Sequence, residues 1–281
     1  MKYATMQANE GQFRVRLMCR VLSVSPSGYY AWCSRKPSQR ALARAELDAQ
    51  VKQAFEGRKG REGAPRLCRR LQRGRHQVAQ SLCRQGLRAK AAKKFKATTN
   101  SNHALPVAEN LLKQDFTAQR PNRVWVGDIT YIGTDEGWLY LAVVLDLYSR
   151  KVVGWSMSER MTATLVCDAL TMALFARKRP RGVIVHTDRG SQYCSKEHRK
   201  LLDDNGLVAS MSAKGNCYDN AAMESWNHSL KVEAIHGERF ATREAAKAHV
   251  FEYIEVDYNR TRLHSTLGYL SPEEFELSRV A

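Results

Sequence analysis

Two periodicities divide the chain. From residue 124 onward, short runs rich in Val, Leu, Tyr and Trp predict strands at 124–132, 139–146 and 151–158, separated by the turn GTDEG and a short step at Tyr148-Ser149-Arg150. Leu165, Val166, Ala169, Leu170, Ala173 and Leu174 then repeat at helical spacing. A fourth strand is expected at 183–186, a helix near 195–205, a fifth strand at 207–211, and helices over 220–235 and 242–258. Three strands, a crossover helix, a strand, a helix and a strand imply a mixed five-stranded sheet flanked by helices. Before residue 97 the pattern is helical throughout. Residues 13–34 read as two short helices around Ser23-Val24-Ser25-Pro26, and 41–56 as a polar helix that stops at the Gly-rich break GRKGREG.

The segment APRLCRRLQRGRHQVAQSLCRQGLRAK forms a compact unit of its own. Leu67 and Leu71 share one face, Gly74 breaks the first helix, Val78, Leu82 and Cys83 give the second its apolar side, and Gly86 ends it. Helix, short turn and second helix in a basic setting is a helix-turn-helix pattern, although an ordinary helical hairpin gives the same signal. It would offer Gln77, Gln80, Ser81, Arg84 and Arg88 to phosphates or base edges. The expected organisation is a basic helical region at 1–60, the helix-turn-helix domain at 61–96, a linker at 97–121 and a mixed-sheet domain with C-terminal helices at 122–281. The basic stretch 88–96 is either a phosphate-gripping arm or a solvated helix face.

Charge sharpens the division. Residues 1–110 carry 23 Lys and Arg against 6 Asp and Glu, which is the whole net charge of +17; residues 111–281 are neutral. A basic front on a neutral back implies a polyanion grip attached to a working domain. The seven cysteines contain no CxxC pair, and none shares zinc-ligand spacing with the eight histidines. That argues against a zinc finger or disulfide scaffold and fits a reducing cytosol. No apolar run approaches a membrane span and no signal-peptide pattern opens the chain, so a soluble cytoplasmic protein, associated with the nucleoid, is expected.

Three carboxylates each interrupt or end an apolar segment: Asp128 in VWVGDITYI, Asp188 in VIVHTDRGSQY, and Glu224 in YDNAAMESWNHSLKVE. A buried carboxylate is costly without a charge partner, and converging carboxylates obtain one from divalent cations. Spacing alone leaves the alternative of helix caps and turn formers open. At 100° per residue Glu224, Asn227, His228 and Lys231 share one helix face, while Met223, Trp226 and Leu230 share another that can pack on the sheet. His186 could orient Asp188 or serve as a core histidine. Gln192, in the loop Arg189 to Tyr193, could reach a nucleotide, and Lys214, Asn216 and Tyr218 precede the glutamate helix in a loop expected near DNA. Asn259, Arg260, Arg262 and His264 form a basic cluster for which a surface role and DNA contact are equally good explanations.

The order of elements is that of the ribonuclease H-like fold. The segments GDITYI, HTDRGSQY, SAKGNCYDNAAMESWNHSLKVE and YNRTRLHSTLGYLSPEEFE, with SPSGYYAW and GAPRLCRRL near the front, resemble the signature set of bacterial insertion-sequence transposases. They are similar to the second-reading-frame product of the IS-three family, relatives of retroviral integrases. The resemblance implies an all-α front before a ribonuclease H-like integrase core, and Asp128, Asp188 and Glu224 as a DDE triad. That triad would hold two Mg²⁺ ions, with Mn²⁺ as a substitute, and Asp128 would be shared between them. Lys231 would touch the DNA beside the site. The resemblance further implies cleavage of element ends and strand transfer on double-stranded DNA, a homo-oligomer on that DNA, and the upstream reading-frame product as a partner. A nuclease of the same fold would give no joined product, and a DNA-binding regulator with a degenerate core would give no metal-dependent nick.

Overall fold

A computed structural model describes residues 2–90, 106–213 and 217–279. Three short helices lead the chain, α1 (Lys2–Ala8), α2 (Val15–Leu22) and α3 (Pro26–Cys33), and Met6, Met18, Cys19 and Tyr29 close a small core between them. The sequence pattern missed α1. Helix α3 starts where Ser25 accepts the Gly28 N–H and Pro26 fills the first turn.

The next three helices, α4 (Gln39–Gly57), α5 (Ala64–Arg70) and α6 (Arg75–Arg84), share one core of Val51, Phe55, Leu67, Val78 and Leu82. The expected helix pair is present, but α4 packs into the same unit. A boundary at residue 60 would part α4 from the core it completes. Most of the basic stretch 88–96 and much of the expected linker lie outside the described residues.

The five strands are β1 (Val124–Thr134), β2 (Gly137–Asp146), β3 (Val152–Ser158), β4 (Ile184–Thr187) and β5 (Val208–Met211), ordered β3-β2-β1-β4-β5. The first three are antiparallel, and β4 and β5 add in parallel. This is the mixed ribonuclease H-like sheet anticipated from the pattern. Alternation along β2 sorts its side chains between two cores. Leu139, Leu141, Val143 and Leu145 face α9 (Ala221–Leu230) and α10 (Arg243–Phe251). Ala142 and Val144 face α7 (Ala163–Ala176) and α8 (Lys196–Asp204). Gly154 lets α7 lie close on β3, because a Cβ there would stand 2.2 Å from the Ala169 carbonyl oxygen and 2.6 Å from the Ala173 nitrogen.

Two expected long helices change type midway. Helix α9 passes into a π-helical turn at Lys231–Ile235, and α10 into another at Glu252–Tyr258. The wider i→i+5 turn is visible in the His236 N–H bond to the Lys231 carbonyl and the Asn259 N–H bond to that of Ile254. It turns Val232, Glu233 and Ala234 inward in succession. A last helix, α11 (Pro272–Leu277), was not anticipated, although its capping box of Ser271 and Glu274 stands in the sequence as S-x-x-E.

The helical front docks on the sheet-containing half through charge. Arg58 and Arg61 both pair with Asp257, Arg66 with Glu233 at 3.0 Å, and Arg70 with Glu62 and the Thr261 carbonyl. Part of the front's positive charge is therefore neutralised inside the protein rather than offered to a polyanion.

Candidate active site

Strand pairing brings the two aspartates level. In the parallel ladder Val126 stands opposite His186, and two residues further along each chain come Asp128 and Asp188. Helix α9 crosses this region with Glu224 in its first turn, and one turn on, Asn227 Nδ2 donates to Asp128 Oδ2 at 2.7 Å. The other oxygen, Oδ1, accepts the Ile129 N–H at 2.9 Å. Asp188 Oδ1 accepts the Gly190 N–H at 2.9 Å, and a Cβ at Gly190 would lie 3.0 Å from that oxygen.

The electrostatics show that the three carboxylates share one environment. Burial, and then the negative charge of Asp188, push Asp128 up to about 7; Glu224 adds to the rise, while the Ile129 and Asn227 donors oppose it. Tyr193 lies buried beside the pair, its phenol raised well above the ordinary range by burial and by both aspartates. A Cβ at Gly127, the residue before Asp128, would stand 3.5 Å from the Tyr193 hydroxyl and 3.3 Å from the Thr187 methyl, a close fit. Among the described residues no three His, Cys, Asp or Glu side chains are already drawn around one point, and Glu224 is exposed on α9. The donor set nevertheless fits a divalent cation: oxygen ligands only, whose negative charges repel one another.

Lys231 sits on the same side of the helix, as its spacing from Glu224 predicts. Its Nζ lies 4.9 Å from the Tyr131 ring centroid, burial pulls its pKa down, and Asp128 opposes that shift. It is a half-buried cation near Asp128, not a solvated helix lysine.

The remaining expected residues divide. Gln192 is half-buried and donates to the Met161 carbonyl at 3.1 Å, bridging the loop after Asp188 to the start of α7. Arg189 Nε donates to the Ser212 carbonyl at 2.6 Å. Lys214 and Asn216 fall outside the described residues, and so does the Tyr218 side chain. His186 is a core histidine: it is buried, its ring bonds Ser210 Oγ at 2.8 Å and the Asp219 carbonyl at 3.0 Å, and burial lowers its pKa. On α6, Gln77 and Gln80 are exposed, as is Arg88 beyond it. Ser81 is instead buried against Asp48 at 2.5 Å, and the Arg84 guanidinium is held by the same carboxylate at 2.6 Å.

The basic cluster near the end is not a surface patch. Arg262 is buried, with Nη2 2.8 Å and Nε 2.9 Å from the two oxygens of Glu233. Asn259 is buried and bonds both the N–H and the carbonyl of Val152, taking the place of a neighbouring strand at the sheet edge. Only Arg260 remains exposed, beside Glu273. The sequence reading gave Asn227 no contact and Tyr193 no place beside the aspartates. Asn227 was legible on the face of Glu224, whereas no local pattern marks Tyr193.

Known proteins resemble the chain over its whole length. Residues 118–217 match one integrase core domain model and residues 224–279 a second. The chain is 57% identical over 288 residues to the transposase InsF for insertion sequence IS3A of Escherichia coli strain K12, covering 100% of both. It is 47% identical over 263 residues to an insertion element IS600 uncharacterized 31 kDa protein of Shigella sonnei, covering 92% of this chain and 97% of that one. Among solved structures, the HTLV-2 integrase catalytic core domain in complex with magnesium aligns with a TM-score of 0.42 at 16% identity, over 57% of this chain and 99% of that one. A simian T-cell lymphotropic virus intasome in complex with a PP2A regulatory subunit aligns at 0.46 and 17%, over 63% and 60%.

Proposed function

The chain belongs to the IS3 family of insertion-sequence transposases, and from that premise we propose that it cuts element ends and joins them to target DNA through Asp128, Asp188 and Glu224. The observation that carries this reading is geometric: Asp128 on β1 and Asp188 at the end of β4 come from neighbouring parallel strands, and Asn227, on the helix that carries Glu224, bonds Asp128. Two Mg²⁺ ions are the proposed cofactor, with Mn²⁺ as a substitute; when bound, they supply activation of the attacking oxygen and stabilisation of the leaving oxygen of a phosphodiester.

The chain's own residues do the rest. Asp128 would hold the cations as a carboxylate that Asn227 orients from one side. Asp188 is held by the Gly190 turn. Glu224 stands on an exposed helix face, from which its flexible side chain can turn in when DNA arrives. Lys231 holds the phosphate beside the carboxylates by a charge-assisted hydrogen bond. Gln77, Gln80, Arg84 and Arg88 would grip duplex DNA, with Arg84 doing so only by sharing its charge with Asp48. Gln192 and Lys214 would contact strands nearer the site. A homo-oligomer on DNA and the upstream reading-frame product remain the proposed partners on family resemblance.

The test is to incubate the protein with labelled element ends, target DNA and Mg²⁺ or Mn²⁺, then map every strand. Cut ends joined to target are expected. Cut ends without joined product would make the chain a nuclease, and no metal-dependent cut would overturn the reading.

A further inference from the structure

On the side of α9 away from Asn227, a cavity of about 600 Å³ opens between the helical front and the catalytic half. That volume is in the range of small-molecule sites. Its walls bring together Arg66 at the start of α5, Arg150 in the turn between β2 and β3, and Arg262 near the end of the chain. Glu233 is shared by Arg66 and Arg262, so that single carboxylate balances two guanidiniums. Arg150 makes no ion pair among the described residues, and burial lowers its pKa. Three cations against one anion leave an excess positive charge in a partly enclosed space. His264, also in the wall, reports the same field: burial first, then Arg262, Arg66 and Arg150, push its pKa far down, so it stays neutral. Such a cavity favours an anion.

Phosphate alone would leave most of the space empty. Tyr269 stands half-buried in the wall with the Arg69 guanidinium 4.9 Å over its ring, Trp226 in the same wall is buried in the core, and Ser229 and Thr266 add hydroxyls. Aromatic and guanidinium planes stack on bases, while arginine pairs with phosphate. Ser225, next in sequence to Glu224, lies in the wall, so the cavity is separated from the carboxylates by one helix, about 10 Å across.

We propose that this cavity takes a single unpaired nucleotide, with its phosphate on Arg150 and its base against Tyr269. The nucleotide comes either from a DNA strand extruded at the site or from the free pool. Only the choice of nucleic acid as the source rests on the transposase reading.

The test is calorimetric titration of the full-length protein in EDTA with thymidine 5′-monophosphate and with thymidine. The monophosphate is expected to bind, and thymidine to bind at least about tenfold more weakly. Arg150→Asn should weaken the monophosphate by a similar factor, and Arg150→Lys should lose less. Arg150 has a φ of +59°, a backbone conformation that asparagine tolerates, and thermal unfolding should show both variants folded. A single-stranded oligothymidylate that displaces the monophosphate identifies a DNA strand as the source, and failure to displace it identifies a free nucleotide. The proposal is overturned if the wild type does not bind the monophosphate, if thymidine binds as tightly, or if folded Arg150→Asn binds it unchanged. None of these readouts needs metal or cleavage, so loss of strand transfer in the same preparation would count against the catalytic reading alone.

Discussion

Asn227→Ala removes a side chain that donates to Asp128 without touching a carboxylate. Alanine is a good helix former, and α9 keeps its apolar contacts through Met223, Trp226 and Leu230. A hydrogen bond to a charged acceptor is worth about 1.5–3 kcal/mol. The donor favours the ionised form of Asp128, so its loss lets the carboxyl hold its proton more tightly. At 1.36 kcal/mol per pKa unit, the midpoint should rise by about one to two units above the value near 7. The ionised fraction of Asp128 at pH 7 in metal-free protein should fall roughly five- to fiftyfold and recover toward wild type at pH 9. Carbon-13 NMR titration of the Asp128 carboxyl in EDTA measures it. An unmoved midpoint, or a midpoint moved to lower pH, would refute the assigned role of Asn227.

Glu233→Gln leaves the buried Arg262 guanidinium without its counter-charge and should cost about 3–5 kcal/mol in urea unfolding. The metal-free fold binds a proton at Asp128 that the unfolded chain, with an ordinary carboxyl, releases from about pH 4 upward. Stability from this group is therefore lost as pH rises toward 7, and Mg²⁺ should raise the melting temperature more at pH 8 than at pH 5.5 in differential scanning fluorimetry. Arg88→Ala should weaken duplex binding and flatten its salt dependence by about one phosphate contact while leaving stability unchanged. Arg84→Ala should in addition lower the melting temperature, because it breaks the pair with Asp48.

The sheet was legible because its strands alternate and its turns carry Gly, Asp and Ser. The parallel placement of Asp128 and Asp188 follows once β1 and β4 are neighbours. Lys231 was legible too, since seven residues return it to the face of Glu224. What failed was long-range pairing. Arg262 and Asn259 read as surface groups because nothing nearby in sequence shows that Glu233 and the edge of β3 lie against them. The π-helical turn that brings Glu233 inward leaves no mark in a 3.6-residue period. The Asp48 partner of Arg84 and Ser81 was hidden for the same reason, since it lies 36 and 33 residues away. His186 sits two residues before Asp188, and only the fold shows its ring bonded to Ser210 and Asp219 instead.

The central claim is that Asp128, Asp188 and Glu224 act together as the cation-holding carboxylates of strand transfer. Asp128→Asn, Asp188→Asn and Glu224→Gln keep side-chain shape and remove the charge that holds a cation. The most direct measurement is single-turnover joining of pre-cut element ends by the three variants in Mg²⁺, with duplex binding and melting temperature followed alongside. Each variant should bind DNA and fold like the wild type, lose joining by several orders of magnitude, and show no Mg²⁺-induced rise in melting temperature for the two aspartate changes. Joining near the wild-type rate by any one of the three would contradict the account.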